Sequence, residues 1–214
     1  MAITVLGIST SPRLESNSDI LLREALAGAE AAGARTEYLS LRGLRIAPCA
    51  ECGACSRTGI CSIQDDYHGV LAKMLAADRL VFATPVFFMA VSAQAKLLID
   101  RCQCLWSRKY ILKQPVAPQG RSGRRALVIA VGGSRGKKMF ESVGLTMKYF
   151  LDALDCACFG NLFVNQVDGP GDIRGRPRAM AEARRLGEAL AAASAAPAEP
   201  VTVELFGSAG APQP

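Results

Sequence analysis

The sequence predicts an α/β fold, in which helices cover both faces of a parallel sheet. Short runs of apolar and β-branched residues alternate with longer segments rich in Leu, Ala and Glu. Apolar runs of this kind are typical of strands buried on both faces, and helices between them favour parallel pairing. The five expected strands lie at 2–8, 36–41, 79–84, 126–131 and 157–164.

The helices between these strands are recognised mainly by their ends. Gly33 follows the first, as is common at a helix C-terminus. Asp65 and Asp66 suit the N-terminus of the second, and Pro177 suits the first turn of the last. Pro85 is expected to end the third strand. The expected helices span 19–32, 65–77, 92–106, 139–154 and 177–193.

The chain of 214 residues is expected to form one domain over 1–194. Its last segment, 195–214, is rich in Ala, Pro, Gly and Ser, so we expect a tail that is mobile or contacts another subunit. Residues 201–206 could instead add a strand.

Composition and charge limit the classes of protein to consider. The net charge is +6, but no basic helix with interleaved aromatic residues occurs, so nucleic-acid binding is not expected. No apolar run of 18 residues predicts a membrane span. The first residues lack the basic region and cleavage site of a secretory signal, so we expect a cytoplasmic protein.

The loop after the first strand is rich in groups that bind phosphate. A hydroxyl-rich loop at a helix N-terminus suits a terminal monophosphate, as in FMN. The loop matches neither the Walker pattern nor the dinucleotide fingerprint. The alternative is a polar loop that only caps the helix at Asn17 or Ser18. The candidate phosphate ligands are Ser9, Ser11, Arg13, Ser16, Asn17 and Ser18.

A second candidate site is the cysteine loop 48–62, with the pattern C-x2-C-x2-C-x5-C. Zinc sites usually place two C-x2-C pairs on either side of a longer spacer, whereas consecutive short steps suit an iron-sulfur cubane. Zinc or metal-free thiols are the alternatives. The pairs Cys102/Cys104 and Cys156/Cys158 are expected to be small buried hydrophobes. The candidate metal ligands are Cys49, Cys52, Cys55 and Cys61.

Three segments together resemble the NADPH-dependent FMN reductase family. They are Ser-Pro-Arg followed by Ser-Asn-Ser in the first loop, the run 84–89 with Lys96 and Asp100-Arg101 downstream, and Gly132-Gly133-Ser134. The resemblance covers residues 2–190. It implies a flavodoxin-like three-layer sandwich whose five-stranded parallel sheet has the order 2-1-3-4-5.

The resemblance also implies that FMN binds at these segments. Backbone groups at 85–89 can meet the pyrimidine edge of the flavin, Phe87 and Phe88 can cover the ring, and the two glycines allow close approach. The alternative is that the Phe residues are core. Asp100 and Arg101 are expected to form a structural ion pair or a helix end. The implied flavin contacts are Thr84, Pro85, Val86, Phe87, Phe88, Met89, Gly132, Gly133 and Ser134.

The cysteine spacing is similar to that of the iron-sulfur flavoproteins, a branch of the same family with a 4Fe-4S cluster beside FMN. This resemblance implies a homodimer or homotetramer that passes electrons between a one-electron donor, such as a ferredoxin, and an acceptor. Two alternatives stay open. One is an NAD(P)H-dependent FMN or quinone reductase without a cluster, acting on a small-molecule acceptor; the other is a non-enzymatic flavin-binding electron carrier.

Overall fold

A computed structural model describes residues 2–117, 123–192 and 197–207. Its strands are β1 (Thr4–Ser9), β2 (Arg35–Ser40), β3 (Arg79–Phe87), β4 (Ala90–Val91), β5 (Arg125–Val131), β6 (Ala157–Val164) and β7 (Val201–Leu205). The main sheet is parallel, in the order β2-β1-β3-β5-β6-β7, and β4 pairs antiparallel with the end of β3. The flavodoxin-like order of the five predicted strands is therefore confirmed, but five is the wrong number, because β4 and β7 are added.

Helices cover both faces of this sheet. They are α1 (Asn17–Ala31), α2 (Cys55–Thr58), α3 (Tyr67–Ala76), α4 (Ala93–Arg101), α5 (Gln103–Trp106), α6 (Met139–Ala153) and α7 (Pro177–Ala192). A π-helical turn (Ser107–Ile111) and a 3-10 turn (Asp172–Gly175) complete the helical elements. The single helix predicted at 92–106 is in fact interrupted at Cys102. None of the helices in the described ranges has the length and apolarity needed to cross a membrane.

Neighbouring residues of the central strands pack into two separate cores. Leu80 and Phe82 of β3 face the core under α3 to α6, whereas Val81 and Ala83 face the core under α1 and α7. Successive side chains of a strand point to opposite faces, so a strand between two layers of helices must be apolar throughout. This explains the continuous apolar runs of the sequence.

Pro85 does not end β3, contrary to the expectation from the sequence. The strand continues to Phe87, and Pro85 pairs in register with Val131 of β5. The amide of Thr10 donates to the carbonyl of Ala83 at 3.0 Å, so Ala83 presents its backbone groups towards β1. Backbone groups alternate in direction along a strand, so Pro85 faces the same side as Ala83. β1 has already ended at that level, so the missing N–H of Pro85 leaves no hydrogen bond of the sheet unmade.

The C-terminal segment extends the sheet. Val201–Leu205 pairs with β6, and the ring of Phe206 stacks on that of Phe140 with centroids 5.4 Å apart. The added strand that the sequence allowed is therefore formed. Contact of this segment with another subunit stays a prediction, and residues 193–196 and 208–214 lie outside the described residues.

Two glycines allow α1 and α7 to pack closely. A Cβ atom on Gly187 would lie 1.9 Å from the carbonyl oxygen of Ala25, and one on Gly28 would lie 2.0 Å from that of Arg184. Both clashes are with backbone, which cannot move aside as a flexible side chain can. The crossing of these helices therefore depends on glycine at both positions.

We expect Gly187→Ala to lower the free energy of unfolding by about 2 kcal/mol or more, because the helices must separate. Gly144→Ala in α6 is the matched control. A Cβ there meets nothing within 4 Å, so helix propensity should raise stability by about 0.5–1 kcal/mol. Urea denaturation measures both changes, and equal effects of the two variants would contradict the packing explanation.

Candidate functional site

The three predicted flavin-binding segments meet at the carboxyl ends of β1, β3 and β5. This is the edge at which open α/β sheets bind ligands. A cavity there is also bounded by Val167, Asp168 and Pro170, which follow β6 and which the sequence analysis missed. The predicted residues that line it are Ser11, Arg13, Ser16, Asn17, Ser18, Pro85, Val86, Phe87 and Gly133.

The N-terminus of α1 opens into this cavity. Ser16 caps the helix, since its Oγ accepts a hydrogen bond from the Asp19 amide at 3.2 Å, and it also lies 3.3 Å from the Ser18 hydroxyl. The first amides of a helix have no partner within the helix, and the helix dipole adds partial positive charge there. Capping and anion binding are therefore compatible at this loop.

The predicted phosphate ligands do not all face the cavity with their side chains. The Asn17 side chain donates to the Gly169 carbonyl at 2.9 Å and accepts from the Ile173 amide at 3.1 Å, so it joins α1 to the segment after β6. Ser9 is buried at the end of β1 and does not line the cavity. Arg13 is exposed at the rim, with its Nη1 3.5 Å from the Asp168 carbonyl.

The run 84–89 forms a hairpin of β3 and β4 rather than a simple loop. Thr84 is buried, with its hydroxyl accepting from the Ser92 amide at 3.1 Å, and it therefore holds the base of the hairpin. Phe87 lines the cavity, but Phe88 is 104% exposed and Met89 is 54% exposed. The turn points the Phe88 side chain outward, and its contact with the flavin ring stays a prediction.

We expect Asn-Gly in place of Phe88-Met89 to raise the free energy of unfolding by about 1–2 kcal/mol. Both residues have positive φ, 47° and 60°, which ordinary side chains disfavour and Asn-Gly adopts readily. An Ala-Ala pair is the control, since it removes the same apolar surface without relieving the backbone. Equal thermal stability of the two variants would show that the turn is not strained.

The glycines that follow β5 lie close to side chains from neighbouring segments. A Cβ on Gly132 would lie 2.6 Å from the Met139 sulfur, and one on Gly133 would lie 2.8 Å from Asp168 Oδ1. Ser134 is exposed, and its carbonyl accepts from the Gln166 amide at 3.3 Å. Both contacts are with the ends of flexible side chains, which can move aside, so packing alone does not require glycine at either position.

The four cysteines of loop 48–62 surround one pocket of about 500 Å³. Gly53 and Gly59 both have positive φ, 69° and 68°, and these turns curl the loop around the pocket. The opposite wall is the segment from α4 to the π-helical turn, residues 100–111. The pocket therefore joins a loop near the start of the chain to a helical segment about fifty residues later.

The hydrogen bonds of these thiols differ. Ser62 Oγ lies 3.3 Å from Cys52 Sγ and lowers the pKa of that thiol below its ordinary value. Ser107 Oγ lies 3.5 Å from Cys55 Sγ. Cys61 Sγ accepts a hydrogen bond from Arg101 Nε at 3.2 Å. Three of the four sulfurs thus have polar partners.

The four thiols can be compared with the ligand sets of a single metal ion and of a cluster. Among residues 2–117, 123–192 and 197–207, no three His, Cys, Asp or Glu side chains converge closely enough for one metal ion. A 4Fe-4S cluster is bound by four thiolates, each on a different iron, so its ligands stand further apart than those of zinc. Four thiols around one pocket match the number of ligands that such a cluster takes.

Comparison with known proteins identifies the family. The family described as NADPH-dependent FMN reductase matches residues 3–140. The chain belongs to this family. It is 34% identical over 195 residues to an iron-sulfur flavoprotein of Methanocaldococcus jannaschii, a match that covers 87% of this chain and 95% of that one. This similarity confirms the predicted resemblance to the iron-sulfur flavoprotein branch of the FMN reductase family.

Two further proteins give the wider context. YwqN of Bacillus subtilis, whose name describes an NAD(P)H-dependent FMN-containing oxidoreductase, is 29% identical, with 87% of this chain and 96% of that protein covered. An NAD(P)H:quinone oxidoreductase from Methanothermobacter marburgensis has the same fold, with a TM-score of 0.67 at 21% identity over 89% of this chain and 96% of that one. This member of the FMN reductase family is an FMN-dependent redox protein and a flavin-dependent oxidoreductase.

Two residues of the cysteine pocket of this FMN reductase family member were missed from the sequence. The sequence predicts that Cys104 is a small buried hydrophobe; it is 2% exposed, but it also lines the pocket and lies 3.2 Å from the Tyr67 hydroxyl. Burial raises the pKa of its thiol. The sequence predicts that Arg101 forms a structural ion pair or a helix end; it ends α4 and pairs with Asp65 at 2.7 Å, and it also reaches across to the cysteine loop. Asp100 pairs instead with Lys96.

Proposed function

We propose that this protein is an iron-sulfur flavoprotein, which passes electrons between a one-electron donor, such as a ferredoxin, and an acceptor. FMN can take up or release either one or two electrons, whereas a 4Fe-4S cluster exchanges them singly, so the two groups together can link one-electron and two-electron chemistry. The observation that carries the proposal is the set of four thiols around one pocket in a chain of the FMN reductase family. The name of the M. jannaschii relative supports it.

The cluster ligands in this proposal are Cys49, Cys52, Cys55 and Cys61. Their thiolates would bind the four irons, and Ser62 and Ser107 would hydrogen-bond to two of the sulfurs. Hydrogen bonds to cysteine sulfur are one of the means by which proteins set the potential of such clusters. Cys104 lies at the same pocket with a raised pKa, so we assign it no ligand role.

The residues of the flavin cavity bind and orient FMN in this proposal. The α1 N-terminus, with the Ser16 and Ser18 hydroxyls, would hold the phosphate, and Arg13 would approach it from the rim. The hairpin backbone and Gly133 would meet the ring edge, with Phe87 on one side. No side-chain acid or base is required, because the cofactor carries the redox chemistry and the protein controls access to it.

An NAD(P)H-dependent FMN or quinone reductase without a cluster is the second candidate, and the similarity to YwqN favours it. Membership of an oxidoreductase family disfavours the non-enzymatic carrier. Stopped-flow reduction of the anaerobic protein separates the two candidates. The proposal expects fast reduction by a ferredoxin and slow reduction by NADPH; fast NADPH turnover with no response to ferredoxin would favour the second.

The net charge of +6 leads us to propose an acidic redox partner. The rate of reduction by an acidic ferredoxin should fall as salt rises, because exposed charges are screened over about 8 Å at physiological ionic strength. Reduced methyl viologen, a cation, is the control, and its rate should not fall. A rate of reduction by ferredoxin that does not change with salt would contradict the proposal of an acidic partner.

We also propose that the protein is a homodimer or homotetramer. The flavin cavity and the cysteine pocket share no lining residue in the part of the chain that the structure describes, so a second subunit could bring a cysteine pocket to each flavin. Light scattering of the purified protein tests this. A monomer at micromolar concentration would contradict it.

A further inference from the structure

The Arg101 side chain is fully buried beneath the cysteine loop. A buried guanidinium is stable only when its N–H groups are paired, and all three nitrogens of Arg101 donate hydrogen bonds. Nε donates to Cys61 Sγ at 3.2 Å, Nη1 to the Ala47 carbonyl at 2.9 Å, and Nη2 to the Ile63 carbonyl at 3.0 Å. Asp65 accepts from Nη1 and Nη2 at 2.7 and 3.2 Å.

These partners lie on both sides of the cysteine motif. Ala47 precedes Cys49 by two residues, and Ile63 and Asp65 follow Cys61 by two and four. One guanidinium on α4 therefore joins the beginning and the end of the loop. The ring of Tyr67 lies under it, with Arg101 Cζ 4.5 Å from the ring centroid.

The Asp65 carboxylate balances the positive charge of the Arg101 guanidinium. Burial alone would raise the pKa of its carboxyl, but the hydrogen bonds from Arg101 and from the Ala47 and Tyr67 amides hold that pKa below its usual value. The carboxylate thus stays charged opposite the guanidinium. Only one edge of the Arg101 fork is taken up by Asp65, which leaves Nε directed at the Cys61 sulfur.

We propose that Arg101 is a positioning residue for the cysteine loop, which fixes both ends of the loop and places a positive charge against the sulfur of Cys61. The inference rests on the proposed function in so far as Cys61 is a cluster ligand. A cation hydrogen-bonded to a ligand sulfur stabilises the reduced cluster, so Arg101 raises the reduction potential as well as ordering the loop. The ordering role predicts faster proteolysis of the loop when Arg101 is replaced, and the electrostatic role predicts a change in the midpoint potential of the cluster.

The test compares Arg101→Gln and Arg101→Lys with Arg57→Gln, which removes an exposed charge from the same loop. In metal-free protein, limited proteolysis at 47–65 should be about tenfold faster in both Arg101 variants than in Arg57→Gln, because neither replacement can bridge both ends. Bound FMN reports that the rest of the fold is intact. Equal cleavage in all three variants would contradict the proposal that Arg101 fixes both ends of the loop.

The midpoint potential of the cluster distinguishes the electrostatic role of Arg101 from its role in ordering the loop. In anaerobically reconstituted protein, Arg101→Gln should shift the midpoint potential to more negative values, and Arg101→Lys should restore part of that shift. An unchanged potential in Arg101→Gln would overturn the electrostatic role. If wild-type protein never binds iron, the proposed function fails, and the proteolysis comparison still decides whether Arg101 orders the loop.

Discussion

Replacing any one of Cys49, Cys52, Cys55 and Cys61 by Ala is expected to cost the protein most of its iron while leaving FMN bound. In the proposed cluster each thiolate would bind a different iron, so its loss would open one corner of the cluster to solvent and oxygen. The flavin cavity lies at separate residues and should be unaffected. Iron and FMN per chain, measured on anaerobically purified variants, give the result.

Cys156→Ala is the matched control for these variants. Cys156 is 5% exposed in the core under α3 to α6, and burial raises the pKa of its thiol to about 12, so it is a poor ligand. Cys104→Ala is the more demanding comparison, because that thiol lines the pocket. If Cys104→Ala loses iron while a variant of the four-cysteine motif keeps it, the ligands have been assigned wrongly.

Arg13→Glu is expected to weaken FMN binding by about 100-fold or more. Loss of a charge-assisted phosphate contact costs roughly 1.5–3 kcal/mol, and the new carboxylate adds repulsion. Arg35→Glu makes the same change of charge at an exposed position at the beginning of β2, at the opposite edge of the sheet. Fluorescence titration of the apoprotein with FMN measures both variants, and equal affinities would show that Arg13 does not contact the phosphate.

The structure changes what is expected of Asn17. From the sequence alone, Asn17 and Arg13 are equivalent phosphate ligands. The amide of Asn17 instead links α1 to Gly169 and Ile173, so its replacement should act mainly through stability. The hydroxyl residues Ser11, Ser16 and Ser18 of the same loop line the cavity, and their proposed role is unchanged.

Most of the fold could be predicted because its signals are local. Each central strand is an apolar run, and α1 and α7 have recognisable end residues, Gly33 after the first and Pro177 at the start of the second. The extension of β3 through Pro85 could not be predicted, because it depends on where β1 ends beside it. The helix break at Cys102 has no glycine or proline to mark it.

The candidate site was predicted in part for the same reason. The cysteine motif and the hydroxyl-rich loop are contiguous, so their spacing is visible in the sequence. Arg101 and Cys104 reach the cysteine pocket only through the packing of α4 and α5, about forty residues beyond the last cysteine of the motif. The outward turn at Phe88 is likewise a matter of backbone conformation, which residue type does not reveal.

We propose that one chain holds both FMN and a 4Fe-4S cluster, and the stoichiometry of the anaerobically purified protein tests this most directly. Iron, acid-labile sulfide and FMN are measured on the same sample, together with its absorption spectrum. We expect about four irons, four sulfides and one FMN per chain, with broad visible absorption beneath the flavin bands. One FMN per chain with no iron or sulfide, before or after anaerobic reconstitution, would contradict it.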